Sequence, residues 1–255
     1  MQTDVLLSPL ELSDLSSRDL TQTTCVVFDI LRATTVMVTA LANSAIGIRP
    51  VLDIPSALVA KACFPDALLA GERHGLRITR ELTGSVDFDL GNSPREFTRE
   101  RVQGRRIIST TTNGTRALNA CRGAQTVLAA SFANLEATAT HLTSQRPQQL
   151  LLIASGTGDH PAYEDLLAVG ALCELLEQTA PLNSVSDSVQ ATQRLFREVR
   201  HRVPEALGEA SNGRRLLMIP ALAPDVALCG QLNTLPLIAR LSPDGWLETL
   251  RTSPT

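Results

Sequence analysis

The chain has 255 residues, of which 44% are hydrophobic and 19% charged, with Lys+Arg 23 against Asp+Glu 26 and a formal net charge of −3. That length suffices for a substantial core, as one large domain or two small ones, and the balanced charge argues against a nucleic-acid partner held through its phosphates. No apolar run approaches the ~18 residues that span a membrane, and no basic stretch followed by an apolar one opens the chain, so a cytoplasmic protein without a membrane partner is expected.

Lys61 is the only lysine, so a basic contact to an anion is a forked guanidinium rather than an ammonium. The five cysteines, Cys25, Cys63, Cys121, Cys173 and Cys229, form no Cys-x-x-Cys pair. They are expected to be buried free thiols in a reducing compartment.

Short β-branched runs alternate with helical patterns along the first two thirds. CVVFDI (25–30), IGIRPVL (46–52), DALLAG (66–71), RRIIST (105–110), AQTVLAA (124–130) and QQLLLIAS (148–155) read as strands. ATTVMVTALANS with a Thr cap, IPSALVAKACF, GTRALNAC and NLEATATHLTS read as the helices between them. This alternation predicts an α/β protein with a largely parallel sheet covered on both faces. From Tyr163 the pattern turns helical, with YEDLLAVGALCELLEQT and then SVSDSVQATQRLFREVRHRV, the latter capped by Ser and Asp. LPLIARLSPDGWLETL reads as a terminal hairpin turning at Pro-Asp-Gly. The expectation is one domain over 1–255, in which residues of about 163–215 either cover the sheet or form a helical subdomain.

Ligands of open α/β sheets bind beyond the carboxyl ends of the strands, and four such junctions are polar. In FDILRATT, Asp29 follows an apolar strand, with Arg32, Thr34 and Thr35 behind it. A carboxylate buried there needs a partner or a cation; an Asp29–Arg32 pair or a helix cap is the alternative. In LLAGERHG, Glu72 and Arg73 follow a glycine, and His74 reads as a surface residue. In DFDLGNSPRE, Ser93 to Glu96 fits a capping box with Pro94 at the first helical position, leaving Asp87, Asp89 and Asn92 unexplained. In STTTNGTRAL, Thr111, Thr112, Asn113, Gly114, Thr115 and Arg116 offer hydroxyl, amide and backbone donors that suit a phosphate or carboxylate. No Walker pattern is present.

Together these junctions supply acids for a hard cation, Asp29, Glu72 and Asp89, and donors for an anion. Mg²⁺ takes one or two carboxylates and keeps waters or phosphate oxygens, so the set points to Mg²⁺-assisted chemistry on a small phosphorylated molecule. Glu164 and Asp165 in SGTGDHPAYED are further acids for that site, or complement a helix dipole.

The blocks VVFDILRATT, AGERHG, FDLGNSPRE, STTTNGTRAL and SGTGDHPAYED, with weaker likeness in SNGRRLL and DVALCGQLN, resemble the ComB family of 2-phosphosulfolactate phosphatases. Asp87 stands where the family's GFDLGNSP block has glycine. The resemblance spans nearly the whole chain. It implies a three-layer α/β/α fold whose sheet is largely parallel or mixed, and Mg²⁺-dependent hydrolysis of 2-phospho-3-sulfolactate to 3-sulfolactate and phosphate. The TTTNGT loop would then hold the phosphoryl oxygens of a substrate bearing about four negative charges. Arg32, Arg73, Arg116 and Arg214 are the candidate cations, and Asn92 and Ser93 further contacts. Asp29 and Glu72 would hold the metal, or Asp29 would be the nucleophile of an aspartyl-phosphate intermediate. A phosphatase for another small phosphorylated acid, a phosphotransferase, or a non-catalytic anion sensor are the other readings. A homodimer is the base-rate expectation.

Overall fold

The computed structural model describes residues 1–179 and 184–250; residues 180–183 and 251–255 of the expected domain lie outside the described residues. The strands are β1 (Gln2–Leu6), β2 (Thr23–Phe28), β3 (Gly47–Pro50), β4 (Leu68–Arg73), β5 (Leu76–Arg77), β6 (Arg106–Thr110), β7 (Thr126–Ala130), β8 (Gln149–Ala154), β9 (Ser184–Val185), β10 (Ala239–Leu241) and β11 (Leu247–Thr249). The helices are α1 (Ala33–Ala42), α2 (Ile54–Cys63), the single turns α3 (Arg80–Thr83) and α4 (Arg99–Val102), α5 (Gly114–Ala120), α6 (Leu135–Gln145), α7 (Tyr163–Thr179), α8 (Asp187–Val199), α9 (Val203–Glu209), α10 (Ser211–Leu217) and α11 (Ala223–Cys229).

All six strands predicted in the first two thirds form, and each following helix starts within a few residues of its expected place. Central β2 is buried on both faces, as a strand between two helical layers must be. One sheet runs in the order β5-β4-β6-β3-β11-β10-β7-β2-β8-β1-β9. It is the mixed, mostly parallel sheet of a three-layer α/β/α fold.

Two features depart from the sequence reading. The opening QTDVL forms β1, parallel to β8, although its Thr and Asp disguise a strand that buries Thr3, Val5 and Leu6. The terminal hairpin forms as read, but at a place the sequence reading did not give. It is inserted into the middle, β10 antiparallel to β7 and β11 antiparallel to β3.

The three antiparallel steps β7–β10, β10–β11 and β11–β3 reverse the strand sense. The half-sheet β4-β6-β3 therefore runs opposite to β7-β2-β8-β1. Their carboxyl ends still meet, because the twisted sheet coils around a shared core. Val27, Ile153, Ile48, Ile107, Leu247 and the α1 residues Met37 and Leu41 belong to that single cluster. A second cluster joins α6 through α11 to the outer face of β2 and β8. A third lies under α2 and contains Phe88 and Trp246.

Cys25, Cys121, Cys173 and Cys229 are buried free thiols as expected, but Cys63 is exposed. Only Ala57 of α2 is fully buried, so the last turn of this helix faces outward. No helix among the described residues is long and apolar enough to cross a membrane.

Candidate active site

A cavity of about 250 Å³ lies where the ends of β2, β4, β6 and β8 converge. Asp29, Arg32, Glu72, Arg73, Asn92, Thr111, Thr112 and Asn113 line it, as expected, together with His74, Gly75, Gly156, Thr157, Asn212 and Arg215. Leu31, Leu216 and Ile219 give it one apolar flank.

Asp29 directly follows β2 and is 9% exposed. Its Oδ1 accepts the N–H of Ala33 at 3.0 Å, so it caps α1, the role expected of a threonine. The Gly114 N–H also supports the ionised form. Burial raises the Asp29 carboxyl to about 6, against those two N–H groups, and the charges of Glu72 and Glu164 push the same way. Gly114 is required by space: an added Cβ would sit 2.6 Å from Asp29 Oδ2 and 2.7 Å from the Ala33 Cβ.

Glu72 comes from β4 and is 8% exposed. Its Oε1 accepts from both the N–H and the hydroxyl of Thr112, each at 2.9 Å, and its Oε2 accepts the Gly75 N–H at 2.8 Å. β4 and β5 pair through a two-residue turn, His74 (φ 56°) and Gly75 (φ 82°). Two positive φ angles suit such a hairpin, and the second is a glycine position.

The Thr/Asn/Gly loop, three of whose residues line the cavity, also bonds groups of the protein itself. The N–H and hydroxyl of Thr112 and the N–H of Gly114 are turned onto carboxylates. Thr112 holds Glu72, Gly114 supports Asp29, and Thr111 and Thr115 lock each other through reciprocal hydroxyl bonds of 3.0–3.3 Å. Asn113 donates its amide to the Gly156 carbonyl and ties β6 to β8.

Several expected contacts lie outside the cavity lining. Thr34 Oγ1 bonds the N–H and C=O of Asp29, and Thr35 Oγ1 the Ile30 carbonyl; both shape the turn after β2. Thr115 is fully buried beneath the loop. Arg116 is exposed between buried Thr115 and Ala117 on the outward face of α5. Asp89 is exposed at the sheet edge, where it accepts the Leu69 N–H at 2.8 Å. Ser93 forms no capping box: its hydroxyl donates to Asp225 Oδ1 at 2.7 Å, while Glu96 accepts the Gly91 N–H. Arg214 bonds Ser211 and the Glu209 carbonyl, and it is its neighbour Arg215 that reaches the cavity.

Arg32 reaches the cavity but pairs with Asp225, at 2.7 Å, rather than with Asp29. Asp165 is buried beneath the site, its two oxygens accepting the N–H groups of Ile30 and Gly156 at 2.8 and 2.9 Å. Burial, then the charges of Glu164 and Asp29, raise its carboxyl well above the ordinary range. Glu164, also raised chiefly by burial, accepts from Asn212 at 2.7 Å.

Among the described residues, Asp29, Glu72, Glu164 and Asp165 form no ion pair, although 9% exposure or less removes each from water. Four carboxyls gathered without an ion-pair partner repel one another unless a cation or protons intervene. No three His, Cys, Asp or Glu side chains among the described residues are spaced to hold a metal ion. The set fits instead a hard cation that takes Asp29 and Glu72 and completes its shell with water and ligand oxygens, as Mg²⁺ does.

The family model for 2-phosphosulpholactate phosphatase matches residues 10–243. The chain belongs to that family. It is 36% identical over 217 residues to a protein of Prochlorococcus marinus (strain MIT 9303), covering 84% of this chain and 86% of the relative. A Synechococcus sp. (strain RCC307) protein is 36% identical over 229 residues, 88% and 91% of the two chains. A Thermotoga petrophila protein is 36% identical over 206 residues, 81% and 83%. All three carry the name "Probable 2-phosphosulfolactate phosphatase". Of the residues at or behind the cavity that lie outside the four polar junctions, Asn212 and Arg215 belong to SNGRRLL, and Asp225 belongs to DVALCGQLN. Those weaker blocks of the resemblance are the available signal for them.

Proposed function

We propose that this protein is a Mg²⁺-dependent phosphatase that hydrolyses 2-phospho-3-sulfolactate to 3-sulfolactate and phosphate. One observation carries the reading. Two buried carboxylates without ion-pair partners, Asp29 and Glu72, face one small cavity that also holds Arg73 and Arg215. A pure anion binder gains nothing from carboxylates there.

Asp29 and Glu72 would hold Mg²⁺, which when bound neutralises charge on the phosphoryl oxygens and orients water. The backbone N–H groups of Ala33, Thr112 and Gly75 fix both carboxylates before any ligand arrives, so little reorganisation opposes the reaction. Arg73, which also bonds the Thr110 hydroxyl at 3.1 Å, and Arg215, which bonds Asn212 at 2.6 Å, are the cations for the substrate's outer acids. A water oxygen forms the new P–O bond, the ester P–O bond breaks, and the proton the water gives up goes to the leaving alkoxide. Two carboxylates converging on one cavity favour the metal-ligand role of Asp29 over a nucleophilic one.

Phosphate release from 2-phospho-3-sulfolactate, measured with Mg²⁺ and with chelator, tests this reading beside phosphoglycolate, phosphoglycerate and phospholactate. Fast release from the sulfonated substrate that stops with chelator is expected. Release from the carboxylate analogues alone would move the substrate, and release from none would overturn the enzyme reading.

A further inference from the structure

Asp225 lies on α11, is 0% exposed and is not part of the cavity wall. It accepts from Arg32 Nη1 at 2.7 Å, Ser93 Oγ at 2.7 Å and Arg95 Nε at 2.8 Å. A buried ion pair gives little net stability over an apolar pair of similar volume, so stability is a weak reason for this arrangement.

The other arm of the same guanidinium gives a stronger one. Arg32 Nη2 donates to the Gly75 carbonyl at 2.7 Å, and the Gly75 N–H donates to Glu72 Oε2 at 2.8 Å. Gly75 sits in the turn between β4 and the two-residue edge strand β5. The C=O and N–H of Gly75 thus form one hydrogen-bonded line from Arg32 to Glu72. That line also crosses the molecule, from the C-terminal α11, through the turn after β2, to β4 in the opposite half-sheet.

We infer that Asp225 is a positioning residue: through Arg32 and Gly75 it sets the carboxylate of Glu72 for the metal. The inference rests on the reading of Glu72 as a Mg²⁺ ligand. A planar guanidinium can hold Asp225 and Gly75 at once, which a lysine ammonium on the same stem cannot do with the same fork.

The test is Mg²⁺ binding to the substrate-free protein by isothermal titration calorimetry, beside kcat and Tm. Asp225→Asn strands the Arg32 charge and should lower both Tm and Mg²⁺ affinity. The paired variant Arg32→Met with Asp225→Leu removes both charges and keeps the volume, so its Tm should stay within about 5 °C of wild type. Its Mg²⁺ affinity and kcat should nevertheless fall ~10–100-fold, the usual cost of losing an outer-shell partner. A merely structural pair would be rescued by that double replacement; affinity and kcat within about twofold of wild type would overturn the inference. Should the double variant fail to fold, Arg32→Lys keeps a charge for Asp225 but frees Gly75. It should lose affinity about tenfold, and wild-type affinity there would overturn the inference equally. Wild-type protein that binds no Mg²⁺ would overturn the reading of Glu72, and this inference with it.

Discussion

The half-sheets β7-β2-β8-β1 and β4-β6-β3 are built alike, from apolar strands that end in turns rich in hydroxyls and glycine. They are held together very differently. Within the first, β2 pairs with β7 and β8 along nearly its whole length. The seam between the halves is short: among the described residues, Leu247 opposite Ile48 is the one registered pair between β11 and β3, and Ala239 and Arg240 are the two that face β7. Asp29 comes from one half and Glu72 from the other, so the site's geometry depends on the seam as well as on the core the halves share. The Asn113–Gly156 and Arg32–Gly75 bonds reinforce the seam at the cavity itself.

The largest effects should come from the carboxylates. Asp29→Asn and Glu72→Gln should each lower kcat at least ~100-fold, as loss of a metal ligand would. Near-normal turnover in one of them would mean that a single half carries the chemistry.

Leu247 and Leu152 are both 0% exposed, one at the seam and one in β8. Changing either to Ala should cost about 2–5 kcal/mol in urea unfolding. Only Leu247→Ala should also weaken Mg²⁺ binding, since only the seam spaces Glu72 from Asp29. Equal Mg²⁺ affinity in the two variants would break the distinction between the regions.

Protonation gives a comparable effect. Asp29 is raised from 3.8 to about 6 in the folded protein. A carboxyl raised by folding stabilises the native state fully below its unfolded value and loses that contribution as pH rises through the folded one. Metal-free protein should therefore lose about 3 kcal/mol from this group between about pH 3 and 7. Asp165 and Glu164 act with the same sign. Above pH 6 the neutral amide introduced by Asp29→Asn removes that cost, so the metal-free variant should melt higher than wild type. A lower Tm for the variant at pH 8 would contradict the burial argument.

The smallest effects belong to the arginines. Arg215→Ala should raise KM about tenfold with kcat nearly unchanged, the mark of lost uniform binding. Arg116→Ala should change neither, because its side chain faces away from the cavity. A KM effect at Arg116 would return it to the site.

How much of this is legible in the sequence follows the same division. Strands such as TTCVVF and RIIST announce themselves by β-branched runs, and acids just beyond strand ends, Asp29 and Glu72, stand out against apolar neighbours. The hairpin is legible as a hairpin, but its place between β7 and β3 depends on partners more than a hundred residues away, which local pattern does not encode. Asn212, Arg215 and Asp225 sit on short helices with ordinary polar composition, and only folding brings them to the cavity. Asp89 and Arg116 stand in motifs that suggest the site, yet Asp89 is turned outward between buried Phe88 and Leu90, and the face of α5 points Arg116 elsewhere. The Thr loop is legible as a cluster of donors. Glu72 is among its acceptors, a pairing visible only once β4 lies beside β6.

The most direct measurement is Mg²⁺ binding by calorimetry to wild type, Asp29→Asn and Glu72→Gln at pH 7.5, a value about 1.5 units above the raised Asp29 carboxyl. One Mg²⁺ per chain in the wild type, lost in each variant separately, is the predicted result. Wild-type affinity in either variant would contradict the claim that the two half-sheets each supply a ligand to one shared ion.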